Sequence, residues 1–476
     1  MLKAKTDKIL LLFISAVAIA ALGYWLAYNP TDDFTARFPG LDNRPAKDQG
    51  DNELVNIGED FNFYNDFDSE LVGTWPRFRG ADFDNINKEQ IPLIDGWANE
   101  KPKILWETDL GEGHAAPVIV QGRVYILDYD EAKKADVLRC FALPTGEPLW
   151  DRSYRVHIKR NHGMSRTVPA VNQKYVLTLG PRGHVMCCDR ISGDLIWAMD
   201  LVKDYGAEIP FWYTGQCPLI DDNVAVLAPG GKILLMGVDC ATGEILWQSP
   251  NPGGWQMSHS SIMPLRLAGK NMYVYAAVGG ICGISAEADD LGEVLWTSTA
   301  FAPSVLAPSP IALPENKLFI TAGYGAGAAM FQISKAGDGF SIDLLYQYKP
   351  KDGLASEQQT PLVIDDMVYG ILPKDAGNLR NRFVCCHPDD LTKFVWSSSK
   401  TERFGLGPYI YADGKCFILD DDGTLNIARI SKNGFQILDK RRIIEGHDAW
   451  APIAIADGYL LMRDSKKMVC LDMRKK

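Results

Sequence analysis

Seven histidines are scattered over 476 residues, and none has the spacing of a metal-ligand set. In "HIKRNH" two of them, His157 and His162, stand five apart in a loop segment. The chain has no G-x-S-x-G elbow and no glycine loop opening a helix around a phosphate. Helical periodicity is hardly seen beyond the N-terminal stretch. Hydrolase and nucleotide-cradling chemistries therefore lack their usual carriers. Positive charge is also sparse: 49 Lys and Arg face 60 Asp and Glu, a net of −11. Residues 30–72 hold eleven acids against three bases, and residues 1–29 carry +2, which leaves −5 for the remainder. The body is close to neutral and offers no basic face, so nucleic acid is not an expected partner. Ten cysteines in a chain of this length do not amount to a disulfide framework. "DDDG" (Asp420 to Gly423) lacks the other acids of a calcium loop and reads as a hairpin turn.

What is present begins with "ILLLFISAVAIAALGYWLAY" (Ile9 to Tyr28), 20 apolar residues preceded by Lys3, Lys5 and Lys8. That is about one bilayer crossing, with the N-terminus on the cytoplasmic side. Residues 1–29 are expected to be a retained signal-anchor, a single transmembrane helix in the inner membrane, with the rest on the periplasmic side. A cleaved signal peptide is the alternative. No Leu-rich lipobox ending in Cys is present. Residues 30–72 are expected to be an acidic linker, and 73–476 the folded body.

That body repeats. A proline, a short strand, a turn and a second β-rich run recur at Pro117, Pro169, Pro218, Pro264, Pro310, Pro361, Pro408 and Pro452, 44 to 52 residues apart. Proline is tolerated at the first residue of a strand, where no ladder donor is needed. Most units end in a turn and an aromatic residue, as in "TGEPLW", "SGDLIW", "TGEILW" and "LGEVLW". Trp150, Trp197, Trp247, Trp296, Tyr346 and Trp396 keep step with the prolines, a regularity that packing between neighbouring units explains. Eight units of four strands predict an all-β, eight-bladed β-propeller. The last unit, ending "MVCLDMRKK", lacks its fourth strand. "KILWETDL" (Lys103 to Leu110) has Trp106 and no unit before it. The N-terminal strand is therefore expected to close the last blade, which removes two free sheet edges.

The repeat ending D-x-x-[TS]-G-[ED]-x-x-W resembles the tryptophan-docking repeat of pyrroloquinoline-quinone (PQQ) enzymes and their cofactor-free relatives. "WPRFRGADFDN" (Trp75 to Asn85) is similar to the start of the bacterial PQQ-like propeller proteins, with Asn85 where a glycine is usual. "LVKDYGAEIPFWYTGQCPLI" and "GYGAGAAM" also match. Members are labelled BamB-like scaffolds or alcohol dehydrogenases, and the repeat alone does not choose between them. Kinship with the dehydrogenases would imply PQQ, a Ca²⁺ held by Glu, Asn and Asp, a base, an arginine on the quinone and, in many, a vicinal Cys–Cys bridge. Cys187–Cys188 and Cys385–Cys386 are the only adjacent pairs. Neighbours along a strand face opposite ways, so neither pair is placed to bridge. Cys140, Cys187 and Cys386 each precede a blade tryptophan by ten residues, and Cys470 takes a similar place, as small buried residues of third strands.

The residues just before each proline lead into the innermost strands and converge on the axis. They bring His114, Arg166, Gln216, His259, Ser261, Glu357, Gln358, Asp448 and Trp450 to one channel mouth. Arg166 and the histidines could donate, Glu357 and Asp448 accept, and Trp450 stack. The sequence is thus read as a membrane-anchored binding or scaffold module without chemistry or cofactor of its own. A protein or small ligand would sit at the mouth or a blade edge. A PQQ- and calcium-dependent dehydrogenase of alcohols or sugars is the alternative.

Overall fold

The structure, a computed structural model, describes residues 2–28, 55–98, 100–446 and 448–475. It divides into two units, Met1–Leu54 and Val55–Lys476. In the first, Leu2–Ala27 form one helix, uninterrupted by proline or a polar turn. Among the described residues no helix is long and apolar enough to cross a membrane.

The second unit consists of eight antiparallel blades. Blade two shows the pattern: Ala170–Val171, Tyr175–Leu179, His184–Asp189 and Leu195–Asp200, each paired with the next. Its innermost strand opens directly after Pro169, as the repeat predicts. The ring closes as expected too. Ile104–Asp109 pairs antiparallel with Lys467–Asp472, the third strand of blade eight, and sets Trp106 opposite Cys470. Lys103 to Asp472 (2.5 Å) and Lys467 to Glu107 (2.8 Å) flank the seam.

The tryptophan motif has a physical cause that the structure makes explicit. The Trp106 indole N–H donates to the Leu143 carbonyl of the next blade at 2.7 Å, and Trp197 likewise to Cys240 at 3.0 Å. The turn glycine of that next blade lies on the same ring. A Cβ on Gly146 would stand 2.5 Å from Trp106, and one on Gly243 would stand 2.9 Å from Trp197, at φ of 73° and 77°. The aspartate opening the motif caps the turn, as when Asp239 Oδ1 accepts from the N–H groups of Ala241 and Thr242. Aspartate, glycine and tryptophan thus form one inter-blade joint.

Three features differ from the sequence reading. Residues 55–72, expected in the linker, belong to the propeller unit. Asp60–Phe63 adds an outer strand to blade one, against Pro148–Arg155. Asn62 and Tyr64 both bond the Asp151 carboxylate, at 2.8 and 2.6 Å, and the Arg152 guanidinium lies 4.6 Å from the Phe61 ring. Residues 29–54 of the expected linker lie outside the described residues. Second, Cys385 and not Cys386 stands opposite Trp396, because the hairpin "HPDDLTK" shifts register there. Third, the segment from Trp75 does more than lead into the ring, and its position defines the mouth.

Candidate binding site at the channel mouth

The segment 73–89 crosses the axial channel at the far end of the innermost strands. Thr74–Trp75 pairs with Val120 and Ile119 of blade one. The Pro76 carbonyl accepts from Val171 N–H in blade two (2.8 Å), and Arg77 donates to the Ile220 carbonyl in blade three (3.2 Å). Ile86–Asn87 runs parallel to the inner strand of blade seven, and the Asn87 amide reaches the Ile455 carbonyl of blade eight at 2.9 Å. Asn85 holds φ at 61°, so the departure from glycine keeps the left-handed turn, which asparagine tolerates. Arg79 is buried on Phe83 and Pro361 carbonyls, and burial pushes its pKa down to about 10. A cleft of about 470 Å³ lies at this far end, lined among others by Trp75, Lys88, Glu89 and Asp457, away from the approach segments.

At the other end the approaches are stitched together sideways. Val168 N–H bonds Cys217 Sγ (3.3 Å), and Cys217 N–H bonds Ser261 Oγ (3.0 Å). Ser261 N–H bonds Ser309 Oγ (3.2 Å), and Ser309 N–H bonds Thr360 Oγ1 (2.9 Å). Small polar side chains at or near the pre-proline position thus carry blades two to six around the axis. Ser261 is part of this ring.

The remaining candidates gather in one neighbourhood, in different roles. His114 packs against Trp450, ring centroids 4.9 Å apart. Burial first, then the Arg166 and Arg463 charges, push His114 down to about 2. His259 is pushed down to about 4, by burial and then by Arg166, so both imidazoles are neutral at physiological pH. Arg166 is less free to donate than the sequence suggested. Its Nε takes the Trp212 carbonyl at 2.5 Å, and one terminal nitrogen takes those of Asn161 and His162 at 2.6 and 2.8 Å. Gln216 donates to Tyr275 Oη at 2.8 Å. Gln358 lines a space of about 10 Å³ beside Glu357, room for a single water. Asp448, at φ 61°, adds its charge to burial in raising the pKa of Asp421.

Two aromatic residues outside the expected set cover this neighbourhood. Trp212 lies 6.1 Å from the His259 ring and stacks on Tyr324 at 5.6 Å and 19°. Both occur in the segments that carried the family resemblance, so a signal existed. Six buried polar atoms on the approaches have no partner among the described residues: His114 Nδ1, Ser165 Oγ, Gln216 Oε1, His259 Nε2, Ser260 Oγ and Glu357 Oε2. Orphaned buried groups are rare and mark bound water or function.

The residues do not match the calcium–quinone set that the dehydrogenase resemblance implies. Glu357 Oε1 is 2.8 Å from the Lys374 ammonium, so this carboxylate is already paired with a cation. Among the described residues no three His, Cys, Asp or Glu side chains converge on one point. Cys187 and Cys188 belong to different inter-blade cores, as do Cys385 and Cys386, and all ten cysteines are free thiols.

The comparisons bear on the fold and the family. Among curated proteins no sequence match was found. Solved structures do match. BamB from Moraxella catarrhalis is similar at TM-score 0.50 and 13% identity, over 78% of this chain and 100% of that one. The quinohemoprotein alcohol dehydrogenase from Comamonas testosteroni is similar at 0.60 and 12%, over 85% and 81%. The computationally designed Ika8 protein reaches 0.51 and 12%, over 78% and 99%. At such identities the likeness shows the propeller and nothing of its activity. A family model described as outer membrane protein assembly factor BamB matches residues 133–390, more than half of the sequence. With its eight closed blades and their tryptophan joints, the chain belongs to that family of PQQ-repeat propellers.

Proposed function

We propose that this protein is a membrane-anchored, extracytoplasmic propeller that binds a ligand or partner at the channel mouth and has no catalytic activity of its own. The observation that carries the reading is the concentration of six unpartnered buried polar atoms on the approach segments, beneath an aromatic cover. The far end is crossed by the segment 73–89, so access is from the mouth. The anchor rests on the apolar run Ile9 to Tyr28 behind three lysines. Kinship to a BamB family model favours a scaffold role, since that family's name is one of assembly.

The dehydrogenase reading has the family's dual history behind it and the donor set against it. Glu357 is already ion-paired, and Arg166 already holds three carbonyls. The test is reconstitution of the purified full chain with PQQ and Ca²⁺. No dye reduction with alcohols or sugars is expected, and no rise in melting temperature beyond about a degree. Saturable PQQ binding lost in both Arg166→Ala and Glu357→Ala would make the dehydrogenase the better reading.

A further inference from the structure

Glu357 presents an unusual arrangement at the mouth. Its side chain is only 2% exposed, yet its ionic partner, Lys374, is 60% exposed. Oε1 receives the Lys374 ammonium at 2.8 Å, and Oε2 is buried with no partner among the described residues. Lys374 follows the second strand of blade six, Met367–Ile371, and reaches back to the mouth. There its ammonium lies 4.9 Å from the centroid of the Tyr324 ring, which in turn stacks on Trp212.

A buried carboxylate is tolerable only while paired, because desolvation is not otherwise offset. Aromatic faces beside it add attraction for a cation. The two together make a site whose chemistry selects an ammonium on an alkyl stem. The group now in it belongs to a long, mostly solvent-exposed side chain that gives up little packing by leaving. The adjoining space of about 10 Å³, lined by Glu357, Gln358 and Gln359 among others, takes no more than a water while the lysine stays. Gln216 Oε1 is a second unpartnered, fully buried acceptor on the approaches. The neutral histidines add no repulsion.

We propose that the mouth recognises a primary ammonium group, and that Lys374 is a built-in stand-in which an incoming amine displaces from Glu357. This rests on the mouth being the binding site. Two sources carry that chemistry, a lysine side chain on an extended protein segment and a free polyamine.

The experiment is chemical rescue in the full chain. Lys374→Ala leaves Glu357 buried and unpaired, and its melting temperature should fall. Millimolar n-butylammonium should restore it and n-butanol should not, while Glu357→Gln/Lys374→Ala should ignore both. Should Lys374→Ala fail to fold, Lys374→Met expressed with n-butylammonium serves the same comparison. Calorimetric titration then uses cadaverine in one arm and an acetylated, lysine-containing peptide in the other. Lys374→Ala should bind at least one of them about tenfold more tightly than wild type, and the tighter, Glu357-dependent arm names the source. Equal rescue by n-butanol, no rescue at all, or rescue in the double variant overturns the proposal. If mouth cross-linking to a partner persists in that case, only the ammonium class is lost and the mouth remains the site.

Discussion

Between blades one and two lies a carboxyl that should make the propeller lose stability as pH rises. Asp136 is fully buried, its Oδ2 accepts from the Tyr154 hydroxyl at 2.8 Å, and its Oδ1 has no partner. Blade two closes over it: a Cβ on Gly180 would stand 2.5 Å from both Asp136 Oδ2 and Tyr154 Oη. Burial, with the Asp128 charge adding, raises Asp136 from 3.8 to about 7. The fold therefore favours the neutral acid. Its stabilising contribution is complete below the unfolded-state pKa, near pH 4, and is lost as pH climbs through 7. At about 1.36 kcal/mol per pH unit the difference comes to roughly 4 kcal/mol. For a domain this large, about 1–2 °C per kcal/mol is a fair extrapolation, so the effect is about 4–8 °C. The assay is the melting temperature of Asp136→Asn minus that of wild type, from pH 4.5 to 8.5. The amide in Asp136→Asn cannot ionise, so the variant should gain on wild type across that range by about three-quarters of this amount. His184, whose pKa burial lowers against the pull of Asp200, is common to both proteins and cancels. A difference that stays flat with pH refutes the reasoning.

Other outcomes follow from the ring and its joints. Deleting 103–110 removes the seam strand and Trp106, and should abolish the cooperative melt. Deleting 30–54 should leave the melting temperature within a degree or two, and equal effects would count against closure at blade eight. Gly146→Ala combines a left-handed backbone with a Cβ 2.5 Å from the Trp106 ring, and should cost roughly 1–2 kcal/mol from the backbone alone. A melting temperature unchanged from wild type would remove the joint from the account. All ten cysteines are buried, and burial pushes Cys140 and Cys188 up to about 12, so thiol reagents should label the native propeller slowly and all ten sites after unfolding. Fewer than ten in the unfolded chain without reductant would reveal a disulfide.

The prolines and tryptophans made the ring legible because each answers a local demand that recurs from blade to blade, the proline in all eight and the aromatic ring in most. A strand start needs no donor, and a joint needs one flat ring over one glycine. Closure was readable for the same reason, since Trp106 stood without a unit of its own. Non-repeating elements were not. The channel-crossing segment 73–89 reaches Val171, Ile220 and Asp457, from about 95 to 384 residues away, contacts that no local pattern encodes. The outer strand Asp60–Phe63 was hidden because its two phenylalanines stand in an otherwise acidic stretch outside the repeat, so nothing local names its partner. At the mouth, the proline frame found residues on the approaches. It missed Tyr324 and Lys374, which lie in loops between the second and third strands, and it gave no sign that Ser261 and Arg166 also hold neighbouring blades and loops.

The central claim, that the mouth and not the far end is where this propeller binds, is open to one direct measurement. A photo-reactive residue is placed at Trp450 in one protein and at Lys88 in another, each as the full chain expressed in cells. The account predicts a discrete adduct from position 450 that disappears in Glu357→Gln, and none of that mass from position 88. The same adduct from both positions, or a discrete one from position 88 alone, would contradict it.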